Sequence, residues 1–379
     1  MLYKRIVQNV IEKNLFKGKV IVIYGARRVG KTTLMKQILE KFPDGKYVNC
    51  DLLQYKSALE TTNSELLRNF TGSTSLLILD EAQNIREIGK ILKIFVDTLP
   101  EIQVIATGSS SFELSAKLSE PLTGRSRFFH LHPFSMEEIH QNLSWIELDA
   151  RLSNTLRFGL YPEVFDQSEE SAIEELQNIA STYLYKDILQ LDTIRRADLI
   201  LKLLKALALQ LGNEVSYNEI ARLTGENVHT IKRYIEILEQ AFVIFRLPSF
   251  SRNLRKELGK RNKIYFFDTG IRNAIINNFT PLDMRNDVGA LWENFCIVER
   301  IKHNQNHRVF KNYYFWRTYS QKEIDFIEEA EGKLAAFEFK WVPKKNIKPP
   351  NEFIYAYPEA DFNIISRKSY IEFISGNRL

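Results

Sequence analysis

A glycine-rich segment near the amino terminus has the residue types and the spacing that bind a chain of phosphates. Residues 25–32 read Gly-Ala-Arg-Arg-Val-Gly-Lys-Thr, which matches the pattern GxxxxGK[ST]. The segment follows an apolar run over 20–23 and precedes a predicted helix over 33–41. Glycines let backbone N–H groups turn toward an anion, and the helix dipole adds partial positive charge. The predicted nucleotide-binding residues are Gly25, Arg28, Gly30, Lys31, Thr32 and Thr33.

Two of these side chains and two acids predict how a nucleoside triphosphate and its metal would be held. Lys31 is expected to reach the β- and γ-phosphates, and the Thr32 hydroxyl is expected to ligate Mg²⁺. Residues 76–81 read Leu-Leu-Ile-Leu-Asp-Glu, an apolar strand that ends in two carboxylates. Since open α/β sheets bind ligands at the carboxyl ends of their strands, Asp80 is placed to hold Mg²⁺ and Glu81 to orient or deprotonate the attacking water. The sequence therefore predicts that ATP and Mg²⁺ bind and that ATP is hydrolysed, with Lys31 and Glu81 as catalytic residues.

Two further residues are candidates for contacting the phosphoryl group in transfer. The apolar run over 102–107 ends in Thr107-Gly-Ser109-Ser, where a polar side chain can reach the γ-phosphate or the water. Ser109 is preferred to Thr107, although an ordinary turn serine also fits the pattern. Arg125, in Leu-Thr-Gly-Arg, is a candidate arginine finger, because a guanidinium neutralises charge on the transferring phosphate. A surface arginine is the alternative, and the choice between action in its own subunit or in a neighbour stays open.

Residues 212–250 have the pattern of a small helical module that ends in a strand. Ser216 and Glu219 form a capping box at the start of a short helix that stops at Gly225. Asn227 then caps a second helix, and a strand-like run follows it. Two capped helices, a tight turn and a strand predict a winged helix.

Positive charge near this module is the feature that indicates DNA. Lys232 and Arg233 are predicted to face outward from the second helix, and residues 252–263 hold six basic residues against one acid, a net of +5. Glu236 and Glu239 dilute the charge of the same helix. Because winged helices also dock proteins, DNA and a protein both remain open as partners.

Four residues of the last third predict a second site. Glu293 lies in a predicted helix over 290–302, Asp325 begins a predicted strand, and Glu338-Phe-Lys340 lies on the next strand. Residues two apart on a strand face the same side, so Glu338 and Asp325 are placed to share a metal, with Lys340 beside a nucleophilic water. The arrangement resembles the (Glu)…Asp…Glu-x-Lys pattern of the PD-(D/E)xK nucleases. Folds of that kind also serve as binding modules, so both cleavage and binding remain open.

Several motifs together resemble one family, the prokaryotic AAA-type ATPases that carry an uncharacterised region after the ATPase core. The motifs are GARRVGKTT, LLILDEAQN, TGSSS, LTGR followed by HPFSMEEI, FGLYPEVF, NKIYFFDTGI and LWENF. They span nearly the whole chain. The resemblance implies an AAA-like ATPase core, a winged-helix module and a nuclease-like terminal domain, and it implies no particular cellular task.

The elements that must position these residues follow from the hydrophobic pattern. Short apolar runs separated by helical stretches predict an α/β core with a parallel sheet, a mostly helical region follows it, and β-rich segments return after residue 262. We therefore predict four parts. These are a P-loop ATPase core over 1–134, a helical connector or lid over 135–197, a winged helix over 198–252 and a restriction-endonuclease-like α+β domain over 253–379.

The composition excludes several classes of protein. The 379 residues are 44% hydrophobic and 26% charged with a formal net charge of +5, which is typical of globular proteins rather than disordered or fibrous ones. Cys50 and Cys296 fit neither a disulfide framework nor a zinc pattern. Since no apolar run reaches the ~18 residues that cross a membrane, we expect a cytoplasmic protein. Its oligomeric state is open, and a homo-oligomer is one alternative.

Taken together, the residues predict an ATP-driven switch in which the P-loop domain transmits its nucleotide state to the C-terminal half. The first hypothesis couples ATP hydrolysis to DNA binding or processing. The alternative is a nucleotide-dependent signalling or scaffold protein whose C-terminal half docks proteins. A metal-dependent nuclease that is gated by ATP is the third.

Overall fold

The structure, a computed structural model, describes six stretches of the chain that form two compact units. The described residues are 3–109, 122–183, 197–251, 262–318, 320–342 and 347–376. One unit is Met1–Pro133 with two short segments from later in the chain, and the other begins at Phe134. Residues 252–261 of the predicted basic segment lie outside the described residues.

The first unit is built on a five-stranded parallel sheet, which confirms the predicted α/β core. Its strands lie in the order β2-β3-β4-β1-β5, and all neighbours are parallel. Three of the strands are buried along nearly their whole length because both faces of the sheet are covered, which explains their continuous apolar runs. The strands are β1 (Val20–Tyr24), β2 (Lys46–Asn49), β3 (Leu76–Asp80), β4 (Gln103–Gly108) and β5 (Ser126–His130). The helices are α1 (Ile6–Glu12), α2 (Lys31–Leu39), α3 (Leu53–Leu59), α4 (Ser64–Thr71) and α5 (Ile88–Thr98), with a 3₁₀ turn at Ala82–Asn84.

The strand order brings three of the predicted segments to one edge of this sheet. β4 lies between β1 and β3, with Tyr24 aligned to Gly108 and Leu79 aligned to Ala106. All three strands run in the same direction. The loop after β1, the acids at the end of β3 and the polar residues at the end of β4 therefore meet at the carboxyl edge, where open α/β sheets bind ligands.

The second unit contains two further sheets and many helices, so the C-terminal part is β-rich as predicted. One sheet has the order β6-β8-β7 and is antiparallel, and the other has the order β12-β11-β10-β9, in which only β12 and β11 are parallel. The strands are β6 (Glu214–Val215), β7 (Ile244–Leu247), β8 (Asn262–Phe266), β9 (Asn312–Arg317), β10 (Glu323–Ala330), β11 (Lys333–Phe339) and β12 (Asp361–Ile365). The helices are α6 (Met136–His140), α7 (Trp145–Ala150), α8 (Leu152–Phe158), α9 (Glu169–Asn178), α10 (Ala197–Leu209), α11 (Tyr217–Thr224), α12 (Val228–Gln240), α13 (Thr269–Ile275), α14 (Val288–Asn306), α15 (Asn351–Ala356) and α16 (Tyr370–Ile374), with a π turn at Ile179–Tyr183 and a 3₁₀ turn at Leu282–Met284.

Strand β8 pairs with the predicted winged-helix segment and not with the C-terminal sheet. Val215 is aligned with Asn262, and Leu247 is aligned with Lys263. The predicted division between residues 252 and 253 therefore separates β8 from both of its partners. A hydrophobic pattern shows where a strand lies along the chain, but it does not show which strand it pairs with. The four-part division as a whole stays a prediction.

Two of the motifs in the C-terminal half meet in close backbone packing. Gly159 has φ 71°, and a Cβ there would lie 2.0 Å from Asp268 Oδ1, while a Cβ at Gly270 would lie 2.1 Å from the carbonyl oxygen of Phe158. Asp268 accepts the backbone N–H of Leu160 at 2.7 Å. Burial raises the pKa of Asp268 to about 6. The FGLYPEVF and FFDTG motifs therefore have a packing role, since only glycine fits where they touch.

Candidate nucleotide-binding site

The loop between β1 and α2 has the backbone shape that surrounds a phosphate. Gly30 has φ 93°, a conformation that glycine adopts without strain, and α2 begins at the next residue. At Gly25 a Cβ would lie 2.1 Å from the carbonyl oxygen of Leu131, so a larger residue would displace the loop. Arg28 also has a positive φ, 62°. The first turn of α2 thus lies next to a tightly turned loop, which is the arrangement that binds anions.

Arg5 supports this loop from outside the motif. Its guanidinium donates to the carbonyl oxygen of Val29 at 2.7 Å and to that of His132 at 2.6 Å, and the side chain is buried. Hydrogen bonds from a charged donor are stronger than neutral ones, so Arg5 fixes the loop against the strand edge. The sequence pattern does not identify Arg5, because its partners are 24 and 127 positions away.

The ammonium group of Lys31 points into the loop. It donates to the carbonyl oxygens of Gly25 at 2.8 Å and Ala26 at 2.9 Å, and the residue is 5% exposed. A buried charge is costly unless it is well paired, and two neutral carbonyls are weaker partners for an ammonium than phosphate oxygens. The placement of Lys31 fits the predicted role of binding a phosphate within the loop.

Asp80 is the centre of a hydrogen-bond cluster at the same edge. Its Oδ2 accepts the hydroxyl of Thr32 at 2.7 Å and that of Tyr47 at 2.5 Å, and its Oδ1 accepts the hydroxyl of Thr107. The carboxylate is nearly inaccessible, with Asp80 only 3% exposed. A hydroxyl and a carboxylate in direct contact offer the hard oxygen donors that Mg²⁺ prefers. The two residues predicted to hold Mg²⁺, Thr32 and Asp80, are therefore adjacent and chemically suited to it.

Tyr47 and Thr107 are part of this cluster, although the sequence did not single out either one as a site residue. Burial, together with the hydrogen bond to Asp80, raises the pKa of Tyr47, so its hydroxyl remains a donor. Thr107 is fully buried at the end of β4, whereas Ser109 was preferred from the sequence. The position of Thr107 at the end of a strand indicated that it could be a site residue, but nothing in the sequence pattern indicates Tyr47.

Glu81 is held in a conformation that non-glycine residues seldom adopt. Its backbone has φ 55° and ψ 44°, and its N–H donates to Thr107 Oγ1 at 3.1 Å. Its carboxylate accepts the Gln83 amide at 2.5 Å, and the same amide group lies 3.4 Å from Ser109 Oγ. Residues with positive φ concentrate at functional sites, where the surrounding structure maintains the strain. The structure thus brings Glu81 and Ser109 together through Gln83.

Arg125 is not brought to this edge of the sheet. It precedes β5, whose first residue, Ser126, is aligned with Val20 at the amino end of β1. Four residue steps of strand, about 13 Å, separate that end from the phosphate loop. The guanidinium instead pairs with Asp97 at 2.7 Å, and both side chains are 39% exposed. Arg125 therefore does not reach the site of its own chain, and a role in a neighbouring subunit stays a prediction.

The four C-terminal candidates do form a cluster, which contains two lysines. Lys340 lies 2.6 Å from Glu338 and 4.0 Å from Asp325, and Glu293 pairs with Lys263 at 3.0 Å. Burial raises the pKa of Asp325 and of Glu338, and it raises the pKa of Glu293 to about 7. The sequence therefore placed the four residues in one neighbourhood.

Two lysines pair with the carboxylates of this cluster. Lys263, which was counted in the basic segment, is fully buried and pairs with both Glu293 at 3.0 Å and Glu323 at 2.6 Å. Among the described residues, the single group of three or more His, Cys, Asp and Glu ligand atoms that converge within 4.8 Å lies elsewhere. The four predicted residues are therefore not part of such a three-ligand group, and a metal shared by Glu338 and Asp325 alone stays a prediction.

Replacing Lys263 by methionine is expected to lower the free energy of unfolding by about 3–5 kcal/mol, because removal of one partner leaves a buried charge without compensation. All four tryptophans lie in the second unit, so urea unfolding followed by tryptophan fluorescence measures the loss. The exposed neighbour Lys322 is the control, and Lys322→Met should change stability by less than about 0.5 kcal/mol. Adding Glu293→Gln to Lys263→Met should restore part of the loss. A Lys263→Met protein that unfolds like the parent would contradict this role.

Three segments of the chain match known family models. Residues 17–140 match a model described as "AAA domain". Residues 149–282 match a domain of unknown function (DUF8612), and residues 288–373 match another (DUF4143).

Relatives of similar sequence come from bacteria and archaea. An uncharacterised protein of Mycobacterium tuberculosis is 26% identical over 333 residues, which cover 87% of this chain and 72% of the relative. One from Methanocaldococcus jannaschii is 26% identical over 362 residues, covering 87% and 76%. One from Haemophilus influenzae is 24% identical over 373 residues, covering 92% and 89%.

A solved structure supports the fold. A Walker-type ATPase of Pyrococcus abyssi superposes with a TM-score of 0.50 at 17% sequence identity, over 73% of this chain and 96% of that one. With the family match over 17–140, it shows that the first unit has a P-loop NTPase fold. None of the described helices combines the length and apolar character that a membrane span requires.

Proposed function

We propose that this chain binds ATP with Mg²⁺ at the loop over 25–32 and hydrolyses it, acting as a nucleotide-driven switch. The observation that carries the proposal is the 2.7 Å contact between the Thr32 hydroxyl and the Asp80 carboxylate, beside the buried ammonium of Lys31. These three groups come from helix α2 and strand β3, which the fold brings together at the carboxyl edge of the sheet. The match of residues 17–140 to an AAA domain supports the same activity.

Each residue of the loop has a distinct part in binding. Lys31 exchanges its two carbonyl partners for oxygens of the β- and γ-phosphates. Gly25 and Gly30 allow the backbone to surround the phosphates, and Arg28 and Thr33 add contacts to the bound nucleotide. Thr32 and Asp80 hold Mg²⁺, which supplies positive charge to the phosphate oxygens when it is bound.

Glu81 orients the attacking water and accepts its proton. Gln83 fixes the Glu81 carboxylate through the 2.5 Å hydrogen bond, and Thr107 links the same residue to Asp80. Ser109, next to Gln83, is placed to respond to the loss of the γ-phosphate. Since Thr107 connects the metal-binding acid to the water-binding acid, a change at one of them alters the other, which is what a switch requires.

DNA is the partner that we propose for the second unit. The order of α10, β6, α11, α12, β7 and β8 and the antiparallel pairing of the three strands support the proposed winged helix. Lys232 and Arg233 are exposed on α12, as DNA contact requires. Burial of Lys263 removes one of the six basic residues from the predicted segment, which leaves five against one acid over 252–262, a net of +4.

A protein partner remains the alternative, and two observations favour it. Glu236 is exposed on the same helix as Lys232 and Arg233, so the surface is not uniformly basic. Glu293 and Glu323 are engaged in ion pairs with the buried Lys263, which favours a binding module over a nuclease. ATP-dependent capture of a protein that survives nuclease treatment would support this alternative.

The ATPase rate of the full chain is expected to rise when duplex DNA is added at low salt, because a binding partner of the switch shifts its nucleotide cycle. Substituting both Lys232 and Arg233 by alanine should lower the slope of log affinity against log salt by about 2. Stimulation should weaken while the rate without DNA stays unchanged. The matched control changes Lys202 and Lys205, two exposed lysines of α10, to alanine. Hydrolysis that ignores DNA, with no measurable affinity at low salt, would leave ATP hydrolysis intact and remove DNA from the proposal.

A further inference from the structure

Two histidines and a glutamate of the second unit converge at one point, far in sequence from the nucleotide site. His303 lies in the last turn of α14, and His307 caps the end of that helix, one turn later. Glu137 lies in the first turn of α6. His303 Nδ1 is 3.0 Å from Glu137 Oε2, and His307 Nε2 is 2.8 Å from Glu137 Oε1. One ligand atom from each residue lies within 4.8 Å of the others.

The spacing of these atoms is close to that of a metal coordination shell. In tetrahedral zinc sites the ligand atoms lie about 2.0–2.1 Å from the ion, which places them about 3.3 Å from one another. His303 Nδ1 and His307 Nε2 lie 3.0 and 2.8 Å from the two oxygens of the Glu137 carboxylate, so both nitrogens face that group at nearly this spacing. The two imidazole rings are also close to each other, with their centroids 4.5 Å apart.

Rigid neighbours hold the ligands in this orientation. Gly376 packs against the His303 ring so closely that a Cβ there would lie 2.1 Å from Nε2, which keeps Nδ1 directed at Glu137. Glu137 sits inside the capping box that Ser135 and Glu138 form at the start of α6. The N–H of Met136 donates to Glu299 of α14 at 2.7 Å, so the two helices that carry the ligands are tied together beside the site. Sites on such fixed elements lose little freedom when they bind an ion.

We propose that Glu137, His303 and His307 bind a divalent first-row transition-metal ion, and Zn²⁺ is the ion with which we test the site. Two imidazoles and one carboxylate are ligands that Zn²⁺ and the other divalent first-row transition metals bind well, whereas Mg²⁺ and Ca²⁺ prefer oxygen ligands. Three protein ligands leave a coordination position free, and the His307 side chain, 41% exposed, keeps that position next to solvent. The ion joins α6 to the end of α14. This site does not depend on the proposed ATPase activity.

Titration of the metal-stripped full chain with ZnCl₂ in a calorimeter tests the site, with excess Mg²⁺ present to occupy oxygen-rich sites such as that at Asp80. We expect one ion per chain. His307→Gln preserves a hydrogen-bond donor to Glu137 but supplies a poor ligand, so it should weaken binding by about 100-fold or more. The control is His229→Gln, an exposed histidine of α12, which should bind like the parent.

Two further measurements separate a metal site from a hydrogen-bonded clamp. Zn²⁺ should raise the midpoint of thermal unfolding of the parent but not of His307→Gln. Co²⁺ in place of Zn²⁺ should give visible absorption bands that require His303 and Glu137. Since His307 is exposed, its substitution leaves the fold intact, which circular dichroism verifies. The proposal is overturned if the parent binds no Zn²⁺, or if His307→Gln binds it as tightly as the parent does.

Discussion

Lys31→Ala is expected to abolish ATP hydrolysis, with a loss in kcat/KM of at least about 10³-fold. The ammonium is buried at 5% exposure and is held inside the loop by the carbonyl oxygens of Gly25 and Ala26. Exchange of these neutral partners for phosphate oxygens stabilises the bound nucleotide, and the same charge stabilises the transferring phosphoryl group. Phosphate release during ATP hydrolysis measures the rate, and a fluorescent ATP analogue measures the affinity.

The control for Lys31→Ala is Lys36→Ala, an exposed lysine of the same helix. It removes the same charge and should leave both hydrolysis and nucleotide affinity near the parental values. Urea unfolding of both variants shows whether α2 and the loop remain folded. If Lys31→Ala is folded and its kcat/KM for ATP is within tenfold of the parental value, the phosphates do not bind beside Lys31.

The parts of the fold and the site that are local in sequence could be predicted. The phosphate loop joins adjacent strand and helix, so GxxxxGKT with its flanking apolar runs was enough to place it. The acid pair followed from the apolar run of β3, because strand ends in parallel sheets carry the ligands. The parallel α/β core was predicted from the alternation of helical and strand-like runs.

The parts that depend on distant pairing could not be predicted. Tyr47 reaches Asp80 across 33 positions, and Arg5 reaches His132 across 127. A periodic pattern reports which face of an element is apolar, but it does not report which side chains meet. The position of Arg125 could not be predicted for the same reason. Only the register between β1 and β5 shows that it lies at the amino end of the sheet. The charge count over 252–263 also included Lys263, which is fully buried, because a count does not report burial.

Glu81→Gln is expected to keep ATP binding and to lower kcat by about 10²–10⁴-fold, the range that a general base contributes. The amide has the same shape as the carboxylate and still accepts the Gln83 hydrogen bond, so the site remains assembled. It cannot take a proton from water, however, and therefore only the chemical step is removed. Single-turnover hydrolysis measures that step, and the fluorescent analogue measures binding.

A matched control is available because the chain has a second glutamate in the same unusual conformation. Glu87 also has φ 55°, but it is exposed and pairs with Lys90 at 2.5 Å. Glu87→Gln makes the same chemical change on the same backbone shape, so any effect of strain alone appears in both variants. If Glu81→Gln turned over at the parental rate, Glu81 would not be the base. If it lost ATP affinity instead, its carboxylate would serve binding, and the division of labour between Asp80 and Glu81 would be wrong.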